Sequence, residues 1–158
     1  MNLTSRSRYA LKIMLDLAKY RDEPLVRRQD IVHRQGVPAK YLDQILVRLR
    51  KAHLVDSIRG RTGGYRIAQD IADISLWDIF RAVEAGIYPV ECVDEHEDCM
   101  YSSSCVTSGP WQLIFNTLKD QLQGMTLGDL EKEYAVEEKM CPMAGIRECK
   151  HGREPLRV

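Results

Sequence analysis

No stretch of this 158-residue chain approaches the ~20 consecutive apolar residues that a helical membrane span requires. Its first residues, Met1-Asn2-Leu3-Thr4-Ser5-Arg6, are not followed by the apolar core of a secretory signal, so the expected compartment is the cytoplasm, with no membrane partner. Catalytic signatures are lacking as well. There is no Ser/His/Asp grouping, no phosphate-binding glycine loop and no well-placed pair of carboxylates, so an enzyme is not expected. Internal repeats are absent. Net charge is absent too, at +0, but that zero is the sum of two opposites. Residues 1–66 hold 15 Lys and Arg against 6 Asp and Glu, a balance of +9, and residues 67–158 carry −9. A basic head attracts a polyanion and an acidic rear repels it, which points to nucleic acid as the partner.

What is present is enough for one folded domain: 44% of the residues are apolar. Thr4 or Ser5 caps a first helix, in which Ala10, Ile13, Met14, Leu17 and Ala18 recur on one face until Asp22-Glu23-Pro24. Leu25 and Val26 form a short extended link. A second helix is expected over about residues 28–35, with Ile31 and Val32 inward, stopped by Gly36. Pro38 suits the first turn of a third helix that buries Leu42, Ile45, Leu46 and Leu49. Helix, tight glycine turn, helix is the helix-turn-helix pattern.

Two short strands follow, residues 54–59 and 65–68, around Gly60-Arg61-Thr62-Gly63-Gly64. A hairpin with Arg59, Arg61 and Arg66 near its tip, directly after a helix-turn-helix, reads as a wing. Ser75 and Asp78 resemble a capping box before Leu76, Ile79, Phe80 and Val83. Residues 85–109 are expected to form a long loop of the kind that is usually functional or disordered. A further helix opening at Pro110 carries the stripe Trp111, Ile114, Phe115, Leu118 and Leu122 and closes at Gly124; Thr126 starts a short last helix. The expected fold is mainly α with a small β-hairpin, a winged helix-turn-helix plus a long dimerisation helix. Its divisions are residues 1–84 for the DNA-binding domain, 85–109 for the cysteine loop, 110–138 for the dimerisation and final helices, and 139–158 for a mobile tail.

On the third helix, Lys40, Asp43, Gln44, Val47 and Lys51 share the face opposite the core. The first turn of a recognition helix meets base edges. Gln44 can pair with adenine through two hydrogen bonds, and Asp43 can accept from the cytosine amino group or reject sites that lack one. Lys40, Arg48 and Arg50 suit phosphates or guanine, and Tyr41 can bond a phosphate or simply pack. Arg28, Arg59 and Arg61 join this set, with Ser5, Arg6, Arg8 and Tyr9 near the backbone. Each neutralised phosphate should add roughly 0.9 to the salt slope of binding. One head covers half a site, so a homodimer on a double-stranded operator is expected, with the Trp111–Leu122 stripe as its helix.

Five cysteines without a secretory leader point to metal or redox chemistry rather than disulfides. Three lie close, as Cys92-x6-Cys99-x5-Cys105. Thiolates suit iron–sulfur clusters, zinc or copper(I), and this spacing is wider than structural zinc sites use. Three protein sulfurs leave a fourth ligand to be found among His96, Ser108, Glu91, Asp98 or a partner subunit, as befits a labile sensor rather than an electron carrier. Cys141, Cys149 and His151 form a second constellation in the tail.

Several motifs together resemble the IscR, NsrR, RirA and CymR group of bacterial winged helix-turn-helix regulators, the Rrf2 superfamily. They are Leu3-Thr4-Ser5-x-x-Arg8-Tyr9-Ala10, Tyr41-Leu42-Asp43-Gln44-Ile45-Leu46, Leu49-Arg50-Lys51-Ala52-x-Leu54-Val55, Ser57-Ile58-Arg59-Gly60 with Gly63-Gly64-Tyr65, and Thr126-Leu127-Gly128-Asp129-Leu130. The resemblance covers about residues 1–135 and is nearest the cluster-binding IscR-like members. It implies a homodimeric repressor, sometimes an activator, in which Cys92, Cys99 and Cys105 hold a 2Fe–2S cluster, or alternatively 4Fe–4S, whose state alters operator binding. Three departures stand out: the first cysteine spacing is one residue longer than in the IscR and NsrR types, Ser108 replaces the histidine of IscR-like members, and Arg8 replaces an acidic ligand of some NsrR-like ones. The alternative is a cluster-free regulator responding to thiol redox state or to cysteine metabolism, as in CymR-like members.

Overall fold

The computed structural model describes residues 3–90, Val93 and residues 105–140, with side chains as far as Glu133. Among these residues there are six helices and one two-stranded sheet: α1 (Ser5–Lys19), α2 (Arg28–Gln35), α3 (Ala39–Lys51), β1 (Val55–Ile58), β2 (Gly64–Ile67), α4 (Leu76–Val83), α5 (Ser108–Gly124) and α6 (Leu127–Met140). The mainly helical winged-helix fold expected from the sequence is the fold observed.

α1 is the hub, packed against α2, α3, α4, α6 and β2. Its five expected apolar residues are all buried, and Thr4 caps it by accepting from the Arg6 N–H at 3.1 Å. α2 ends at Gly36, whose left-handed φ of 61° returns its N–H to the Val32 carbonyl at 3.0 Å. That turn aims α3, which buries Leu42, Ile45, Leu46 and Leu49 and leaves its other side in solvent.

β1 is one residue shorter at each end than expected, and β2 starts and ends one residue earlier. β1 and β2 pair antiparallel, with Val55 opposite Ile67 and Asp56 opposite Arg66. The extended link before α2 joins them: Val26 N–H donates to the Tyr65 carbonyl at 2.8 Å, and Tyr65 N–H donates back at 2.9 Å. Gly64 permits this approach, since a Cβ there would lie 2.6 Å from the Val26 carbonyl oxygen. Gly60 turns the hairpin at φ +123°, which disfavours any other residue.

Ser75 and Asp78 do form a capping box, and Thr126 and Asp129 form a second of the same design. The two boxes lie side by side, as Leu76 N–H donates to the Met125 carbonyl at 2.9 Å and Leu127 N–H to the Ile74 carbonyl at 2.8 Å. α4 and α6 therefore start from one shared bridge.

Two expectations need correction. α5 begins at Ser108 rather than Pro110. Proline sits in its first turn, where the missing N–H has no helical partner to lose. The last helix is not short: α6 runs for 14 residues. No helix among the described residues is long and apolar enough to cross a membrane.

Candidate nucleic-acid interface and cysteine loop

The expected residues of α3 do share one exposed side. Lys40, Gln44, Val47, Arg48, Arg50 and Lys51 are exposed, and Tyr41 and Asp43 are half-buried beside them. The N-terminal turn of α1 adjoins this side. The Tyr9 and Tyr41 rings meet edge to face at 5.5 Å, the Ser5 and Tyr41 hydroxyls lie 3.3 Å apart, and the Arg8 guanidinium sits 5.2 Å from the Tyr9 ring centre. Tyr9 and Tyr41 are thus a packing joint between the two helices. Arg6, Gln44, Arg48 and Lys51 are among the residues lining an open groove of about 920 Å³ beside α3. Arg59 and Arg61 are exposed at the wing tip, and Arg66 pairs loosely with Asp56 at 3.3 Å.

Three cations of this region are committed within the chain. Arg48 donates to the Val83 carbonyl at 3.1 Å, at the C-terminal end of α4, where positive charge is favoured. Arg50 donates to the Ser57 hydroxyl at 3.2 Å, joining α3 to the wing. Arg28, the first residue of α2, donates Nε to Asp43 Oδ1 at 2.6 Å and Nη2 to Asp43 Oδ2 at 2.8 Å, with a further bond to the Ala39 carbonyl at 3.1 Å. This hydrogen-bonded fork holds the Asp43 carboxyl below the ordinary aspartate range.

Two anchors carried no signal in the sequence. Asp16 is 2% exposed inside α1 and accepts both arms of Arg34, at 2.9 and 2.7 Å, and the Gln35 amide at 2.9 Å. Arg34 also stacks 4.0 Å from the Tyr20 ring centre. Glu84, the C-cap of α4, reaches back 80 residues to the start of α1. Its Oε1 accepts from Thr4 N–H at 3.0 Å, Thr4 hydroxyl at 2.8 Å, Ser7 N–H at 3.3 Å and Ser7 hydroxyl at 2.6 Å. An anion there meets the positive end of the α1 dipole. Nothing local in the sequence identified Glu84 as the acceptor for this turn.

Of the three clustered cysteines, Cys92 and Cys99 lie outside the described residues, as do Glu91, His96, Asp98, Cys141, Cys149 and His151. Cys105 is described. It is half-buried immediately before α5, with its Sγ 3.3 Å from the Thr107 hydroxyl. Hydrogen bonds from the Thr107 hydroxyl and N–H hold its thiol below the ordinary cysteine range, favouring the thiolate that a soft metal ligand must be. Ser108 donates its hydroxyl to the Cys105 carbonyl at 2.8 Å.

The apolar stripe of α5 divides. Phe115 and Leu122 are buried against the chain's own core, with the Phe115 ring edge to face with Trp77 at 6.0 Å. Trp111 and Ile114 turn outward with Leu113, at 37%, 50% and 68% exposure.

Residues 3–133 match the family model described as Rrf2, iron-dependent transcriptional regulator. The chain is 38% identical over 138 residues to the HTH-type transcriptional regulator IscR of Vibrio campbellii, covering 87% of this chain and 82% of that protein. Among solved structures it is similar to T. potens IscR, with a TM-score of 0.69 and 32% identity over 89% of this chain and 93% of that one. It is also similar to CymR, the global cysteine regulator of B. subtilis, with a TM-score of 0.68 and 32% identity over 84% of this chain and 98% of that one. A winged helix-turn-helix with an exposed basic side and relatives of this kind leaves one conclusion: the chain belongs to the Rrf2 family of DNA-binding transcriptional regulators and is not an enzyme.

Proposed function

We propose that the protein is an iron–sulfur-cluster-sensing regulator that acts in the cytoplasm as a homodimer on double-stranded operators, repressing and at some sites activating. The observation that supports this reading is how the described residues on either side of the cysteine segment are held. That segment leaves α4 at Glu84, which holds the N-terminus of α1, and it arrives at Cys105, which precedes α5. Both ends of the loop are therefore tied to working elements: α1, beside the basic side of α3, and α5, which exposes Trp111, Leu113 and Ile114. Cys92, Cys99 and Cys105 would hold the cluster, 2Fe–2S ahead of 4Fe–4S, and it would supply an oxygen- and redox-labile centre linking α4 to α5. A state that prefers one loop conformation biases the heads by its differential stability.

In this reading Gln44 reads a base, while Lys40, Lys51, Arg59, Arg61, Arg6 and Arg8 meet phosphates. Arg48 and Arg50 hold α3 against α4 and the wing, with the rest of each guanidinium available to the backbone. The exposed α5 residues cover one another across a two-fold axis, because an apolar group of this size on a regulator's helix marks an interface.

Oxygen-free isolation is expected to give a coloured protein with iron and acid-labile sulfide, and holo and apo forms that differ in operator affinity. A colourless, iron-poor protein even after reconstitution would sink the sensing role. Similarity to CymR favours a second reading, a thiol or cysteine-metabolism regulator without a cluster; a disulfide on mild oxidation and no bound iron would select it.

Gln44→Ala is expected to weaken binding to the best duplex by about tenfold, within the range of one bidentate base contact, and to flatten the preference for adenine at one position. Anisotropy titrations on duplexes carrying each of the four base pairs there test this. An equal loss on all four would move Gln44 to a phosphate contact.

A further inference from the structure

We infer that Arg28 is a specificity-determining residue: by neutralising Asp43 it lets α3 face the duplex without demanding a cytosine amino group opposite that carboxylate. The inference rests on the DNA-binding reading of α3 and extends it to a residue on a different helix.

The geometry is that of a built pair. Arg28 opens α2, where the helix dipole disfavours a cation, yet it points across to the first turns of α3. Both arms of its planar fork meet both carboxylate oxygens, and the same Nη2 reaches the Ala39 carbonyl. The pair is not sealed away: the Arg28 and Asp43 side chains are 40% and 48% exposed. Asp43 immediately precedes Gln44 on the side of α3 that lines the open groove. An unpaired carboxylate there would be repelled by phosphates and tolerated only where a base offers a donor, so it would act as a filter. Paired, it presents a nearly neutral surface, and the filter is relaxed. Arg28 therefore sets how much of Asp43 the DNA experiences, and its own charge is largely spent on Asp43 rather than on a phosphate.

The test is a cycle of full-length, anaerobically isolated proteins: wild type, Arg28→Met, Asp43→Asn and the double variant. Each selects from a pool of randomised duplex DNA and is then titrated on the recovered sequences at several salt concentrations. Thermal melts of the four proteins establish that each is folded. Arg28→Lys supplies a second variant that keeps the charge and loses the fork, and it is expected to fall between wild type and Arg28→Met.

Arg28→Met is expected to bind about tenfold more weakly overall, through like-charge repulsion, and to acquire a strong cytosine preference at one position. Adding Asp43→Asn should restore affinity to within about threefold and erase the new preference, a large non-additivity. The inference is overturned if Arg28→Met loses the same affinity with Asp43 present or replaced, its salt slope falling by roughly 0.9 in both, for then Arg28 is a simple phosphate contact. Should wild type recover no duplex in either holo or apo form, the DNA-binding reading itself fails and takes the inference with it.

Discussion

Alanine at Cys105 is expected to yield a colourless protein retaining less than about a tenth of the wild-type iron and sulfide, since losing even a second-shell partner typically costs 10–100-fold in metal affinity. Cys105 is tied to the start of α5 by the Ser108 hydroxyl at its carbonyl and the Thr107 hydroxyl at its Sγ, and its thiol is biased toward the anion. The fold should survive the change, because Cys105 is only half-buried and outside the main core. A melt near that of the apo wild type, combined with lost colour, separates ligand loss from unfolding. The functional consequence follows from linkage: without the cluster, Cys105→Ala should show one operator affinity, equal to that of apo wild type, whatever the iron supply. A variant that keeps full colour and a full holo-to-apo difference in DNA binding removes Cys105 from the cluster and leaves the proposed ligand set without its described member.

Glu84→Ala is the second large effect, on the order of 3 kcal/mol of stability and on the order of 10 °C in Tm, read by calorimetry or denaturant titration. One carboxylate oxygen accepts four donors from the N-cap Thr4 and from Ser7 in the first turn of α1, and Ser7 is 3% exposed, so alanine leaves the buried Ser7 hydroxyl and the Thr4 and Ser7 N–H groups without that acceptor. Because α1 also carries Ser5, Arg6 and Arg8, operator affinity should fall with the local order of that turn, more at elevated temperature. Glu84→Gln, which keeps an acceptor and loses the charge, should recover part of the loss.

The same site makes a pH prediction. Burial alone pushes the Glu84 carboxyl up, but the bonds from Ser7 and Thr4 together outweigh it and hold it below the ordinary glutamate range. A depressed folded-state value means that the contribution is complete above the ordinary glutamate value and is lost as pH falls through the folded one. The stability gap between wild type and Glu84→Gln should therefore be constant near neutrality and shrink in acid. A gap that widens in acid contradicts the assignment.

Much of this architecture was legible locally. The buried faces of α1, α3 and α4 follow helical spacing of Ala10, Ile13, Met14, Leu42, Ile45, Ile79 and Phe80, because a 3.6-residue period needs no knowledge of the partner. Gly36, Ser75, Asp78 and Thr126 marked ends through bonds closed within a few residues. The exposed side of α3 was legible as the complement of its buried side.

The sequence by itself determined the element order, the core faces and the exposed basic side of α3. The tertiary structure alone decided which charges are spoken for. Arg28 meets Asp43, Arg34 meets Asp16, and Glu84 meets Ser7 only because helices far apart in sequence cross at particular angles. It also divided the α5 stripe, turning Phe115 and Leu122 inward and Trp111 and Ile114 outward, since one apolar face can be shared between two neighbours and periodicity does not say where the line falls. Burial repeats at short range along a chain, whereas pairing depends on the distance between side chains after packing, and only the folded molecule fixes that distance.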